Sequence, residues 1–121
     1  VFMDPISHDT HAAYVSHLSH VSSFMLGKTV IEKEKNEKNI FDLAGSGFES
    51  TVRLAKSSPE TWTPIFLQNK KNIAEAIDEY INSLEKFKKI ITDGNSIELK
   101  SILKNTNRIK EILNKNNNNE K

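Results

Sequence analysis

Tyr14-Val15-Ser16-His17-Leu18-Ser19-His20 sets two imidazoles and three side-chain hydroxyls, Tyr14's among them, into what reads as the interior of a long helix. Serine and histidine are neither strong helix formers nor good core residues, so folding alone does not explain them. At about 100° per residue, Ser16 and His20 lie roughly 40° apart and His17 roughly 60° from His20, which makes the three one polar wedge. His8 and His11 form a second pair one turn apart, but on a regular helix the two pairs diverge by more than about 100°, a poor arrangement for a four-histidine metal cage. His17 and His20 with a carboxylate from elsewhere would suffice for zinc, although no Asp or Glu stands beside them at ligand spacing. A polar seam that binds nothing is the plainer reading of the same residues.

Arg53 stands among Val52, Leu54 and Ala55 on a stretch that reads as a partly buried helix over 48–55. A guanidinium cannot shed its charge on burial, so it calls for an anion. That anion is either a carboxylate of this chain or a ligand carboxylate or phosphate held bidentately. Trp62 fits equally as core or as the wall of such a pocket. Gly45-Ser46-Gly47 invites a phosphate-loop reading, yet it lacks the third glycine, the preceding strand and the later acid of a dinucleotide fingerprint. It reads as a tight corner between helices.

The elements that must hold these residues are all helical. Asp4-Pro5 is a cap followed by proline at the first helical position, and only Gly27 interrupts the helix that runs from there to about Glu34. Such a helix would be roughly 40 Å long against a domain diameter of about 35 Å, so it is expected to overhang its own domain and be covered by a second subunit. Glu32 to Lys38 is a solvated run of alternating charge. Ser58-Pro59-Glu60 restarts the chain, with Trp62, Ile65, Phe66 and Leu67 as the apolar face. Ile73, Ile77, Tyr80, Leu84, Phe87 and Ile91 recur at spacings of 4, 3, 4, 3 and 4, a heptad seam on a helix of about 22 residues. Gly94 ends it, Asn95 with Glu98 begins another over about 96–114, and the two should form an antiparallel hairpin. The asparagine-rich tail 115–121 can bury little and is read as disordered. The expected fold is all-α, five to six helices, with one helical domain over 1–114.

Acidic and basic residues nearly cancel, leaving a formal charge of +1, so no nucleic-acid surface is indicated. With no cysteine there is no disulfide framework or thiolate metal site. No apolar run approaches the roughly 20 residues of a bilayer span, and no signal peptide is visible, so a cytoplasmic protein without membrane contact is expected. The opening Val1-Phe2-Met3 reads as the edge of a piece of a longer protein.

Met3-Asp4-Pro5 with His8-Asp9, followed by Ser16-His17-Leu18-Ser19-His20, resembles the helical-domain signature of prephenate dehydrogenases, where Ser-His-Leu-Pro-His is usual. The run Ala44 to Ala55, carrying Gly45-Ser46-Gly47-Phe48 and Arg53, resembles the same family's glycine-phenylalanine-to-arginine segment. Ser58-Pro59-Glu60-Thr61-Trp62 and Ile65-Phe66-Leu67-Gln68-Asn69 resemble the stretch of that family's domain directly after the arginine. Together these motifs cover about residues 3–92.

The resemblance implies the C-terminal dimerisation and substrate-binding domain of an enzyme that oxidatively decarboxylates prephenate to 4-hydroxyphenylpyruvate, or acts on arogenate, passing hydride to NAD or NADP on the way to tyrosine. It implies that Ser16 and His20 face the substrate ring and that His17 orients the neighbouring wall. Arg53 would bind a substrate carboxylate, while Trp62, Gly45 and Gly47 would line the pocket, from either subunit of a homodimer. The catalytic histidine and the nucleotide-binding domain would precede this segment, so no residue here is assigned as catalytic or cofactor-binding, and the piece alone would be inactive. Ser19 for the usual proline should straighten the helix, and Ser50 stands where an acid is common. Two other classes remain open at this point: a non-enzymatic helical interaction module, and a metal-binding helical protein using His17 and His20.

Overall fold

The computed structural model describes residues 4–36, 40–43 and 45–119, and every described element is helical. Met3, the end of the charged run at 37–39, Ala44 and the last two residues lie outside that set. The chain forms two compact units, 1–78 and 79–121.

Helix α1 (Pro5–Ala12) begins as its sequence dictates. The Asp4 carboxylate accepts from the Ser7 backbone N–H at 3.0 Å and from its hydroxyl at 3.0 Å, with Pro5 at the first helical position. Those bonds hold the Asp4 carboxyl below its usual range. The expected single helix to Glu34 is present as a continuous rod, but it is not regular. A π-helical segment, Ala13–His17, separates α1 from α2 (Leu18–Glu34). The wide turn occurs just ahead of Ser19, without any proline. The Ser19 hydroxyl bonds back to the Val15 carbonyl at 3.2 Å, supplying a donor to the loosened ladder.

The wide turn directs Ala13, fully buried, into the core of the first unit, against Ile73 and Ala76 with Leu18, Val21, Phe66 and Ile77 around them. Two alanines at the centre let the helices approach closely. Ile40–Leu43 forms a 3-10 turn, α3 spans Ser46–Thr51, and a second 3-10 turn covers Arg53–Lys56. Helix α2 packs on this last turn: the buried Ser23 donates to the Thr51 carbonyl at 2.7 Å, and Gly27 faces the Ala55 methyl. Helix α4 (Pro59–Gln68) starts at the Ser58 cap and α5 spans Lys70–Thr92.

Within the second unit, α5 ends at Gly94, whose φ of 65° is the left-handed conformation glycine favours. Asn95 donates to the Ile90 carbonyl and Gly94 to the Ile91 carbonyl, the paired bonds of a Schellman stop. Asn95 then caps α6 (Ser96–Thr106) through the Glu98 N–H at 3.0 Å. Two expectations fail here. The last helix breaks at Asn107 into α6 and α7 (Arg108–Asn119), and residues 115–119 of the asparagine-rich tail continue as helix. Asparagine is a mediocre helix former but not a breaker, and Arg108 to Leu113 extend a turn already begun. The heptad seam is also shifted at its far end: Ile90 is buried whereas Ile91 is 53% exposed.

Candidate functional site

Four side chains gather where the π segment, α2 and α4 meet: His17, His20, Trp62 and Asn69. The His20 ring lies flat on the Trp62 indole, with centroids 3.4 Å apart and planes 19° from parallel. His17 meets the same indole edge-on at 6.2 Å, and Trp62 in turn packs on Phe66 at 5.6 Å. Sequence spacing had joined the two histidines; the fold adds the tryptophan, one turn into α4 behind its Ser58-Pro59 start.

Asn69, in the sequence no more than the last residue of a motif, is the one that fastens the cluster. Buried between the end of α4 and the start of α5, it donates through Nδ2 to the Asp9 carbonyl at 2.8 Å and to His17 Nδ1 at 3.2 Å. Its Oδ1 accepts from Asn72 at 2.9 Å. No local pattern announces such a residue, because its partners lie 60 and 52 positions away. Desolvation pushes the His17 pKa below the ordinary histidine value, and the nearby His20 and His8 push the same way while Asp9 opposes them.

Ser16 is half-buried and its backbone carbonyl accepts from His20 Nδ1 at 2.9 Å. Arg53 differs from expectation. It lies at the start of a 3-10 turn rather than inside a helix, it is exposed, and among the described residues no carboxylate of the chain pairs with it. Of the two anions considered for it, the internal one is therefore not supplied by the described residues. Gly45 caps α3 in an extended conformation and Gly47 lies in that helix's first turn. Neither has a positive φ or a neighbour within 4 Å of an added Cβ, so the corner does not require glycine sterically. No hydrogen bond or ring contact among the described residues links Arg53, Gly45 or Gly47 to the histidine cluster.

The wide turn also voids a regular-helix angle between the two histidine pairs. Even so, among the described residues no three His, Asp or Glu side chains come together as a metal site. No described helix is long and apolar enough to cross a membrane. A feature not apparent from the sequence is an apolar groove of about 530 Å³ along α2, lined by Phe24, Met25, Gly27, Ile31, Ala55 and Phe66.

Residues 4–105 match the family described as "Prephenate dehydrogenase, dimerization domain". The chain is 30% identical over 92 residues to a prephenate dehydrogenase of Bacillus subtilis, covering 73% of this chain and 24% of that protein. It is 32% identical over 85 residues to a cyclohexadienyl dehydrogenase of Zymomonas mobilis, covering 69% and 29%. Among solved structures, the prephenate dehydrogenase of A. aeolicus in complex with hydroxyphenyl propionate and NAD+ superposes with a TM-score of 0.82 at 38% identity, over 93% of this chain and 39% of that one. Synechocystis arogenate dehydrogenase has the same fold, with a TM-score of 0.79 at 24% identity over 93% and 41%. The chain thus spans between about a quarter and two fifths of the length of these proteins.

Proposed function

Because the chain belongs to the prephenate dehydrogenase dimerization-domain family, we propose that it is the helical portion of a cytoplasmic, homodimeric dehydrogenase that oxidatively decarboxylates prephenate or arogenate toward tyrosine. The domain supplies one wall of the substrate site. Arg53 holds a substrate carboxylate, Ser16, His17 and His20 offer polar contacts beside the ring, and Trp62 with the Gly45–Gly47 corner closes the pocket.

The observation that carries this reading is the free guanidinium of Arg53, exposed and unmatched by any carboxylate among the described residues. A planar fork with five donors suits a carboxylate bidentately, and substrates of this class carry one on the ring. The reaction expels carbon dioxide as hydride leaves the ring carbinol, and the gain of aromaticity drives it. What is asked of this domain is positioning and charge complementarity.

The described residues do not fit a dinucleotide cradle. Gly45-Ser46-Gly47 opens a helix of six residues, and no strand occurs among the described residues to carry it. NAD or NADP therefore belongs to the remainder of the enzyme, together with the base that takes the hydroxyl proton. Support for the dimer comes from the second unit, where Leu103, Ile109, Ile112 and Leu113 stand about half exposed.

In the dehydrogenase that carries this domain, Arg53→Ala should raise KM for prephenate by about 10- to 100-fold, the worth of a charge-assisted pair. Affinity for NAD should not change. An unchanged KM would remove the carboxylate role from Arg53 and with it this reading of the site.

A further inference from the structure

Three of the helical histidines can be assigned a proton by the partner each Nδ1 has found. His11 Nδ1 lies 2.6 Å from the Ser7 carbonyl and His20 Nδ1 lies 2.9 Å from the Ser16 carbonyl. A carbonyl only accepts, so both rings carry hydrogen on Nδ1, and the neutral form of each then has its lone pair on Nε2. His17 is the exception, because its Nδ1 faces the Asn69 side-chain amide rather than a carbonyl one turn back.

The orientation of that amide is fixed independently. The Asp9 carbonyl, which takes the Ala13 N–H at the entrance to the π segment, accepts a second bond from the Asn69 side chain at 2.8 Å. The atom facing it must be the nitrogen. Asn72 donates to the other atom of the amide, which agrees. The second hydrogen of Asn69 Nδ2 is then directed at His17 Nδ1, which must bear a lone pair, and the His17 proton resides on Nε2.

We propose that Asn69 is a positioning residue that locks His17 as the Nε2–H tautomer, so that His17 and His20, one turn apart against one tryptophan, present opposite Nε2 atoms: a donor and an acceptor. No hydrogen bond among the described residues engages either Nε2. A ligand matched to this pair has a carbonyl or carboxylate oxygen for His17 and a hydroxyl or ammonium hydrogen for His20. Protonation of His17 would place N–H against N–H, so the lock also keeps the ring neutral, in the same sense as its burial. The titratable groups around it are His20, Asp9 and His8. The identity of the ligand rests on the proposed dehydrogenase function; the tautomers do not.

Long-range proton–nitrogen spectra of the 121-residue chain at pH 8 test the lock without any ligand. The expected result is a protonated Nε2 with a bare Nδ1 for His17 and the reverse for His20 and His11. A protonated Nδ1 on His17, or an even mixture, overturns the proposal whatever the substrate. Asn69→Asp replaces the donor with an acceptor, and should transfer the His17 proton to Nδ1 and raise its titration midpoint. A folded Asn69→Asp chain with unaltered His17 nitrogens would also overturn it, and if that variant does not fold, the unsubstituted spectrum decides. In the dehydrogenase, Asn69→Asp should lower kcat/KM by about tenfold, the loss of one hydrogen bond. An unchanged kcat/KM with the tautomers as assigned would remove the ligand from His17 while leaving the reading of Arg53 intact.

Discussion

Both units of the chain leave large apolar side chains exposed, but they differ in what they bury. In the first, polar groups are drawn inward: Asn69 and Ser23 are buried with every described side-chain donor satisfied, and His17, His20 and Trp62 are half-covered around them. In the second, apolar groups are turned outward: of the described residues beyond 78, Ile90 is the buried hydrophobic, whereas Ile81, Leu84, Ile97 and the isoleucines of α7 are open to solvent. Polar groups are buried at a cost only where each finds a partner, and large apolar groups are exposed in a row where a partner surface is due. The first unit fixes its inward polar side chains by hydrogen bonds, and the second leaves a row of apolar side chains open to solvent.

Three experiments test this difference. Ile109→Glu with Ile112→Glu places two charges on the open face of α7 and should convert the proposed dimer to monomer by sedimentation, weakening association by at least about 100-fold, as loss of an interface centre does. The His17 nitrogen spectrum should be untouched. A dimer of unchanged strength would move the interface away from this face. Next, Ile73→Ala, in the core beside Ala13, should cost about 2–4 kcal/mol in urea unfolding, whereas Ile91→Ala should cost under about 0.5 kcal/mol at concentrations where the chain is monomeric. Equal losses would erase the distinction between the units.

The smallest effect is acid sensitivity. His17 binds its proton less readily folded than unfolded, so between its two pKa values the unfolded chain holds more protons and stability rises with pH. The contribution is complete above the ordinary value of 6.5 and is lost as pH falls through the folded one. Tm should therefore fall from pH 7.5 to pH 5.5 by more in the unsubstituted chain than in His17→Gln. Parallel falls would assign the sensitivity to other groups.

What could be read from the sequence divides along the range of the interactions involved. Asp4-Pro5, Ser58-Pro59, Gly94 and Asn95 act on backbone groups within a turn, and each starts or stops a helix where its chemistry says. The pairing of His17 with His20 was equally local. The π turn was not legible, because Ala13 to His17 contains neither proline nor glycine, and the residues its Ala13 packs against, Ile73 and Ala76, lie far along the chain. Asn69 was missed as a fastening residue for the same reason. Arg53 was expected within a helix because Val52, Leu54 and Ala55 look apolar in a row. Three neighbouring residues do not fix a period, and the segment is a 3-10 turn with the guanidinium outside.

The bond from Ser23 to the Thr51 carbonyl, with Gly27 against Ala55 one turn on, has a mechanical sense. The turn carrying Arg53 is clamped to the same rod that carries Ser16, His17 and His20. Cation and imidazoles thus keep register as marks on one ruler, with a loop of the chain folded back onto its scale. One residue inserted between His20 and Ser23 would turn the marks by about 100° and slide them about 1.5 Å apart, keeping every one of these side chains in the chain while changing where each stands relative to the others.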